Sequence, residues 1–180
     1  MTQRRIIITG FMGSGKTTVA MALASKLHCN AVDLDQVITA EEGFTPKQII
    51  TRAGEAAFRL IESRNLVALL QRGEPRIIAL GGGAWTIAEN RQQIDKYGCF
   101  TVWLDLPFEV CWQRIIEAGH ERPLAPDRNT AQQLYDNRKQ FYKLADLRIE
   151  IAEKTEISEV TLNIAAVLTS FADCQRSDWT

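Results

Sequence analysis

The sequence has 180 residues, 46% of them hydrophobic, enough for one domain with a sizeable core and too apolar for a disordered chain. Lys plus Arg number 21 against 22 Asp plus Glu, a formal net charge of -1, which excludes a general nucleic-acid or membrane-surface binder. Any anion must be held by locally placed arginine and lysine.

The first predicted element is a strand over residues 5–9, carried by Ile6-Ile7-Ile8. Arg4-Arg5 ahead of it superficially suits a signal peptide, but the apolar run is too short and Lys16 follows soon after. Next comes Gly10-Phe11-Met12-Gly13-Ser14-Gly15-Lys16-Thr17, a glycine, four residues, then Gly-Lys-Thr, opening a helix over 15–27. That is the spacing of a phosphate-binding loop. Its backbone N–H groups turn inward around a polyphosphate, and the helix N-terminus behind them adds positive partial charge. Lys16 is expected to reach the β- and γ-phosphates, and the Thr17 hydroxyl to bind Mg²⁺.

A second strand is predicted over 30–33, ending at Asp33-Leu34-Asp35. Alternate residues of an extended chain share a side, so both carboxylates are expected to face a crevice. Asp33 suits a metal's water shell and Asp35 a substrate hydroxyl. Alone, the pair reads equally as a solvated turn or helix cap. No element is assigned between it and a helix over 55–71, which carries Phe58-Arg59-x-x-Glu62. The i,i+3 spacing lets Glu62 hold the Arg59 guanidinium as a carboxylate receptor, although most such pairs are surface ion pairs.

A third strand over 76–80 runs into Gly81-Gly82-Gly83, where a ligand can approach the backbone closely. A helix over 86–97 follows, then a strand over 99–104 and a helix over 107–118 with Pro107 in its first turn. Residues 119–127 read as a polar loop with two prolines, expected to act as a lid. A helix over 130–145 begins with the capping-box spacing Thr130/Gln133 and carries Arg138, a second candidate carboxylate clamp, and Tyr142. The last elements are a strand over 147–151, alternating as an edge strand does, and a helix over 157–170. Residues 171–180 read as a polar, frayed tail. Trp85, Trp103 and Trp112 are expected in the core.

Nearly continuous apolar strands alternating with helices predict an α/β fold, an open parallel sheet covered on both faces. The four cysteines (Cys29, Cys99, Cys111, Cys174) form no C-x-x-C pair, and two histidines complete no zinc set. Buried free thiols in a reducing compartment are expected, hence a cytoplasmic protein without a membrane span.

Together, the phosphate loop, Asp33-x-Asp35, Phe58-Arg59-x-x-Glu62, Gly81-Gly82-Gly83, Arg122-Pro123-Leu124 and Arg138-x-x-x-Tyr142 resemble shikimate kinase in order and spacing, from about residue 4 to about residue 170. The resemblance implies a P-loop, nucleoside-monophosphate-kinase-like three-layer fold with a five-stranded parallel sheet in the order 2-3-1-4-5. It implies one domain over 1–172 with a lid at 117–128, and a polar C-terminal tail at 173–180. It implies Mg²⁺-dependent transfer of the ATP γ-phosphate to the 3-hydroxyl of shikimate, in aromatic amino acid biosynthesis. A single domain without an obvious apolar seam predicts a monomer, and the balanced charge predicts no nucleic-acid or membrane partner.

By the same resemblance, Gly13, Ser14, Gly15, Lys16, Thr17, Thr18, Arg114 and Arg122 bind ATP, with Arg114 against adenine. Thr17 and Asp33 hold Mg²⁺. Asp35, Arg59, Gly81, Gly82, Gly83 and Arg138 bind shikimate. Lys16, Asp35 and Arg122 are catalytic, Arg122 as a lid arginine. The sequence departs from the family at Ala125, where a leucine is usual, and at the spacing from Arg114 to Arg122. Another small-metabolite kinase of this fold, such as a gluconate kinase, and a non-catalytic nucleotide-binding regulator are the competing expectations.

Overall fold

The computed structural model of the chain describes residues 4–119 and 123–177. Five strands form one sheet: β1 (Ile6–Thr9), β2 (Ala31–Asp33), β3 (Ile77–Ala79), β4 (Phe100–Asp105) and β5 (Leu147–Glu150). Their order is β2-β3-β1-β4-β5, as the resemblance implies, and every pairing is parallel, as the apolar strand runs predict. Ile6, Ile7, Ile8, Ile77, Ile78 and Val102 are wholly buried. Strands covered on both faces have no wet side, which is why they read as unbroken apolar runs.

Seven helices surround the sheet among the described residues: α1 (Lys16–Lys26), α2 (Leu34–Glu42), α3 (Pro46–Arg72), α4 (Ala88–Lys96), α5 (Phe108–Glu117), α6 (Arg128–Tyr142) and α7 (Ile157–Ser177). Helix α1 is capped by Gly15, left-handed at φ 85°, and packs against α7. Trp85 and Trp103 are buried, and Trp112 packs at the core's margin. Cys99 and Cys111 are buried free thiols, whereas Cys29 is only partly covered.

The chain between β2 and residue 55 is helical, contrary to its reading as unassigned. Asp33 caps α2, its carboxylate accepting from the Asp35 N–H at 2.8 Å. Thr45 and Gln48 form a full capping box in front of Pro46, so α3 begins nine residues before the expected start at residue 55. Gly54 (φ 85°, ψ 167°) breaks α3 into two segments. That glycine and Gly43, left-handed at φ 72°, are the breakers that disguised the helical pair.

Three helix ends also differ. The cap of α6 is Asp127, which accepts from the Thr130 N–H at 2.9 Å; a carboxylate at that position displaces the expected Thr130/Gln133 box. Pro107 is the cap residue of α5 rather than part of its first turn. Helix α7 continues to Ser177, past the end expected at residue 170, so the backbone at the start of the expected tail is helical.

Candidate active site

The strands β1, β2 and β3 end side by side, and their C-terminal ends open into a cleft of about 310 Å³. Ligands of open α/β sheets bind at this edge. The phosphate loop forms one wall: Gly13, Gly15, Lys16, Thr17 and Thr18 all line it. Ser14 is buried behind the loop. Gly13 has φ 79°, and a Cβ there would come within 2.6 Å of the Cys111 carbonyl oxygen. No side chain fits, so the loop lies directly on the α5 backbone. The Lys16 ammonium donates to the Phe11 carbonyl at 2.8 Å.

The Thr17 hydroxyl donates to the Asp33 carboxylate. Two hard oxygen donors thus sit together at the mouth of the phosphate loop, a set that suits Mg²⁺ retaining most of its water. Among the described residues no group of three or more His, Cys, Asp or Glu could hold a metal ion. A magnesium ion at this place would take its remaining ligands from phosphate oxygens and water.

The opposite wall is built around the glycine turn. A Cβ on Gly81 would lie 2.6 Å from Glu62 Oε1 and 2.9 Å from Asp35 Oδ1. On Gly83 it would lie 2.3 to 2.6 Å from the guanidinium atoms of Arg59. On Gly82 it would lie 3.3 Å from Arg138 Nη1. The turn is therefore bare because four charged side chains press against it. The two arginines of the sequence reading, 79 positions apart (138 − 59), converge here.

Neither arginine lies on a solvated helix face. Arg138 is 6% exposed and Glu62 is fully buried. Arg59 Nη1 donates to Glu62 Oε2 at 2.6 Å, while its Nε and Nη2 donate to Glu55 Oε1 at 3.2 and 2.9 Å. Burial pushes the Glu62 carboxyl above the usual carboxylate range, opposed by Arg59 and reinforced by the charge of Asp35. Burial likewise lowers Arg138, with the Arg59 charge acting in the same direction. Buried charges that do not neutralise one another fully are a common mark of a binding site.

A second cavity of about 320 Å³ adjoins the phosphate loop. Arg114 lines it and donates to the Gly13 carbonyl at 3.4 Å. Ile151, Thr155, Ile157 and Val160 complete its walls. These last four escaped the sequence reading, as did Pro46, Lys47 and Ile50 on the main cleft and Glu55, which pairs with Arg59. Arg122 lies outside the described residues. Its neighbours Pro123 and Leu124 line the cleft, and Ala125 is buried at 3% exposure.

The family model for shikimate kinase matches residues 12–169. The chain belongs to the shikimate kinase family. A shikimate kinase of Persephonella marina is 38% identical over 84% of this chain and 92% of its own length. One from Lactococcus lactis is 40% identical over 83% and 90%. Among solved structures, the shikimate kinase of Acinetobacter baumannii in complex with shikimate superposes with a TM-score of 0.83. It is 31% identical and covers 94% of each chain. A gluconokinase of Sinorhizobium meliloti shares the fold alone, with a TM-score of 0.60 at 15% identity.

Proposed function

We propose that the protein transfers the γ-phosphate of ATP to the 3-hydroxyl of shikimate, giving ADP and shikimate 3-phosphate. One observation carries this reading: the Arg59 and Arg138 guanidiniums meet at Gly82-Gly83, in the cleft that also holds Lys16 and Thr17. A cation pair on a bare backbone turn fits a small planar carboxylate, and the phosphate loop beside it fits the donor.

Each residue has a role, which for all but Arg122 its position supports. Loop amides of Gly13, Ser14 and Gly15 and the Lys16 ammonium hold the β- and γ-phosphates, with Thr18 beside them. Arg114 covers the adenine side, where Ile151 and Val160 supply apolar walls. Asp35, anchored through its own N–H on Asp33, accepts a hydrogen bond from the ring hydroxyls and orients the attacking oxygen. Arg59, Arg138 and the Gly81–Gly83 backbone seat the carboxylate. Bound at Thr17 and Asp33, Mg²⁺ would neutralise charge building on the phosphates. Lys16 and Arg122 do the same from the protein side.

The segment 117–128 closes over the cleft as a lid that excludes water, so that phosphate passes to the acid rather than to solvent. Pro123 and Leu124 on the cleft wall support that placement. We also read the protein as a single domain over 1–172 acting as a cytoplasmic monomer. Free thiols at Cys29, Cys99 and Cys111 suit a reducing compartment, and no helix among the described residues is long and apolar enough to cross a membrane.

The deciding measurement is ADP release from ATP with shikimate and with gluconate, each with and without Mg²⁺. Magnesium-dependent turnover with shikimate is expected. Preference for gluconate would favour the other small-acid kinase, and ATP binding without transfer to either acid would favour a regulator.

A further inference from the structure

Arg59, the residue assigned to the substrate carboxylate, already holds two carboxylates. A guanidinium has five N–H donors in a planar fork. Three of them are engaged: Nη1 by Glu62 and the paired Nε and Nη2 edge by one oxygen of Glu55. The two partners differ in kind. Glu62 is fully buried and fixed, whereas the Glu55 side chain is 49% exposed. Glu55 also follows Gly54 directly, the point where α3 loses helical geometry. It is the partner that can leave.

The charge count points the same way. Two guanidiniums, Arg59 and Arg138, face three carboxyl groups, Glu55, Glu62 and Asp35. The carboxylate seat therefore has no surplus of cations before any acid arrives. Glu55 exerts its charge on both arginines, since it also acts to raise Arg138. A bound acid adds a third negative charge beside Arg59, and it competes with Glu55 for the one Nε and Nη2 edge.

We propose that Glu55 is a built-in competitor for the substrate's carboxylate on Arg59, a specificity-determining residue that keeps the fork occupied between turnovers. An acid enters by displacing Glu55 from the Nε and Nη2 edge, and Glu55 returns when the product leaves. The fork then never stands as a bare cation open to any small anion. Weak monoanions that lack ring hydroxyls for Asp35 fail to evict Glu55. This inference rests on the carboxylate role given to Arg59 above.

The test compares the unaltered protein with Glu55→Gln, which keeps shape and removes charge, and with Glu55→Ala. Binding of shikimate, and of its neutral analogue with the carboxylate reduced to hydroxymethyl, is measured by calorimetry without ATP. Both variants should bind shikimate about two- to five-fold more tightly, the range for a half-exposed ion pair. Their affinity for the neutral analogue should stay unchanged. KM for shikimate should fall while KM for ATP holds. Weaker or unchanged shikimate binding would overturn the proposal and make Glu55 a mere anchor of Arg59. An equal gain for the neutral analogue would overturn it too. Turnover by the unaltered protein is measured alongside: no turnover with shikimate sinks the function and this inference together, whereas turnover with unimproved binding sinks this inference alone.

Discussion

The Tyr142 hydroxyl donates a 2.5 Å hydrogen bond to the carbonyl of Gly82, 60 residues earlier in the chain. Tyr142 sits one turn after Arg138 on α6 and is 1% exposed. Burial raises its hydroxyl above the ordinary tyrosine range, so it remains a donor at any physiological pH. This bond fixes the distance between the Arg138 fork and the glycine turn.

Tyr142→Phe leaves the part-buried Gly82 carbonyl without its donor. Destabilisation of about 0.5–1.5 kcal/mol is expected, read by urea unfolding. KM for shikimate should rise more than KM for ATP. Equal changes in both would mean that the bond stabilises the fold without ordering the acid seat.

Lys16→Met removes a cation aimed at the phosphates while leaving the loop backbone in place. The kcat should drop about 10²-fold or more, with an unchanged circular dichroism spectrum. Turnover close to that of the unaltered protein would remove Lys16 from the chemistry.

Arg138→Ala deletes one of two carboxylate forks. KM for shikimate should rise about 10- to 100-fold, the worth of a charge-assisted hydrogen bond, while KM for ATP changes little. Comparable losses for both substrates would contradict a carboxylate clamp.

Gly83→Ala places a methyl group within 2.3 Å of Arg59 Nη2. The backbone there is in the ordinary right-handed region, at φ -104°, so the chain should fold. The guanidinium must move instead, and it is tied to Glu62. Shikimate binding should weaken markedly at nearly constant thermal midpoint; normal binding would show that Arg59 has another productive position.

Glu62→Gln tests the buried carboxyl through pH. The folded-state pKa of Glu62 lies above its ordinary value of 4.5, so the folded protein holds this proton more tightly than the unfolded chain. Stability from this group is full below that ordinary value and declines as pH rises through the folded pKa. The unaltered protein should therefore lose part of its advantage over Glu62→Gln as pH rises from 4.5 through the raised folded value. A stability gap that widens over this window would reverse the sign assigned to the burial.

The sheet was legible because doubly covered strands such as Ile6–Thr9 carry no polar interruption, and the phosphate loop because its glycines sit at obligatory spacing. Residues 34–53 were not legible as helices. Their short amphipathic segments are separated by Gly43, Thr45-Pro46 and Gly54, each of which also signals a loop. The capping box at Thr45 and Gln48 was the available clue. Arg59 and Glu62 were readable as an i,i+3 pair, but Glu55 stands at i-4 on the same arginine and was passed over. The wall residues Ile151 and Thr155 belong to no spaced motif and become neighbours of Arg114 only through the β4–β5 pairing.

Because β1 and β3 are hydrogen-bonded neighbours, with Ile8 opposite Ala79, the two loops that leave them begin one strand apart, about 4.8 Å. The inter-strand repeat is a ruler: it presets the gap between the phosphate cradle and the turn that seats the acid before any side chain is chosen. Changes in the outer helices can retune which acid is welcome without shifting the two seats relative to each other.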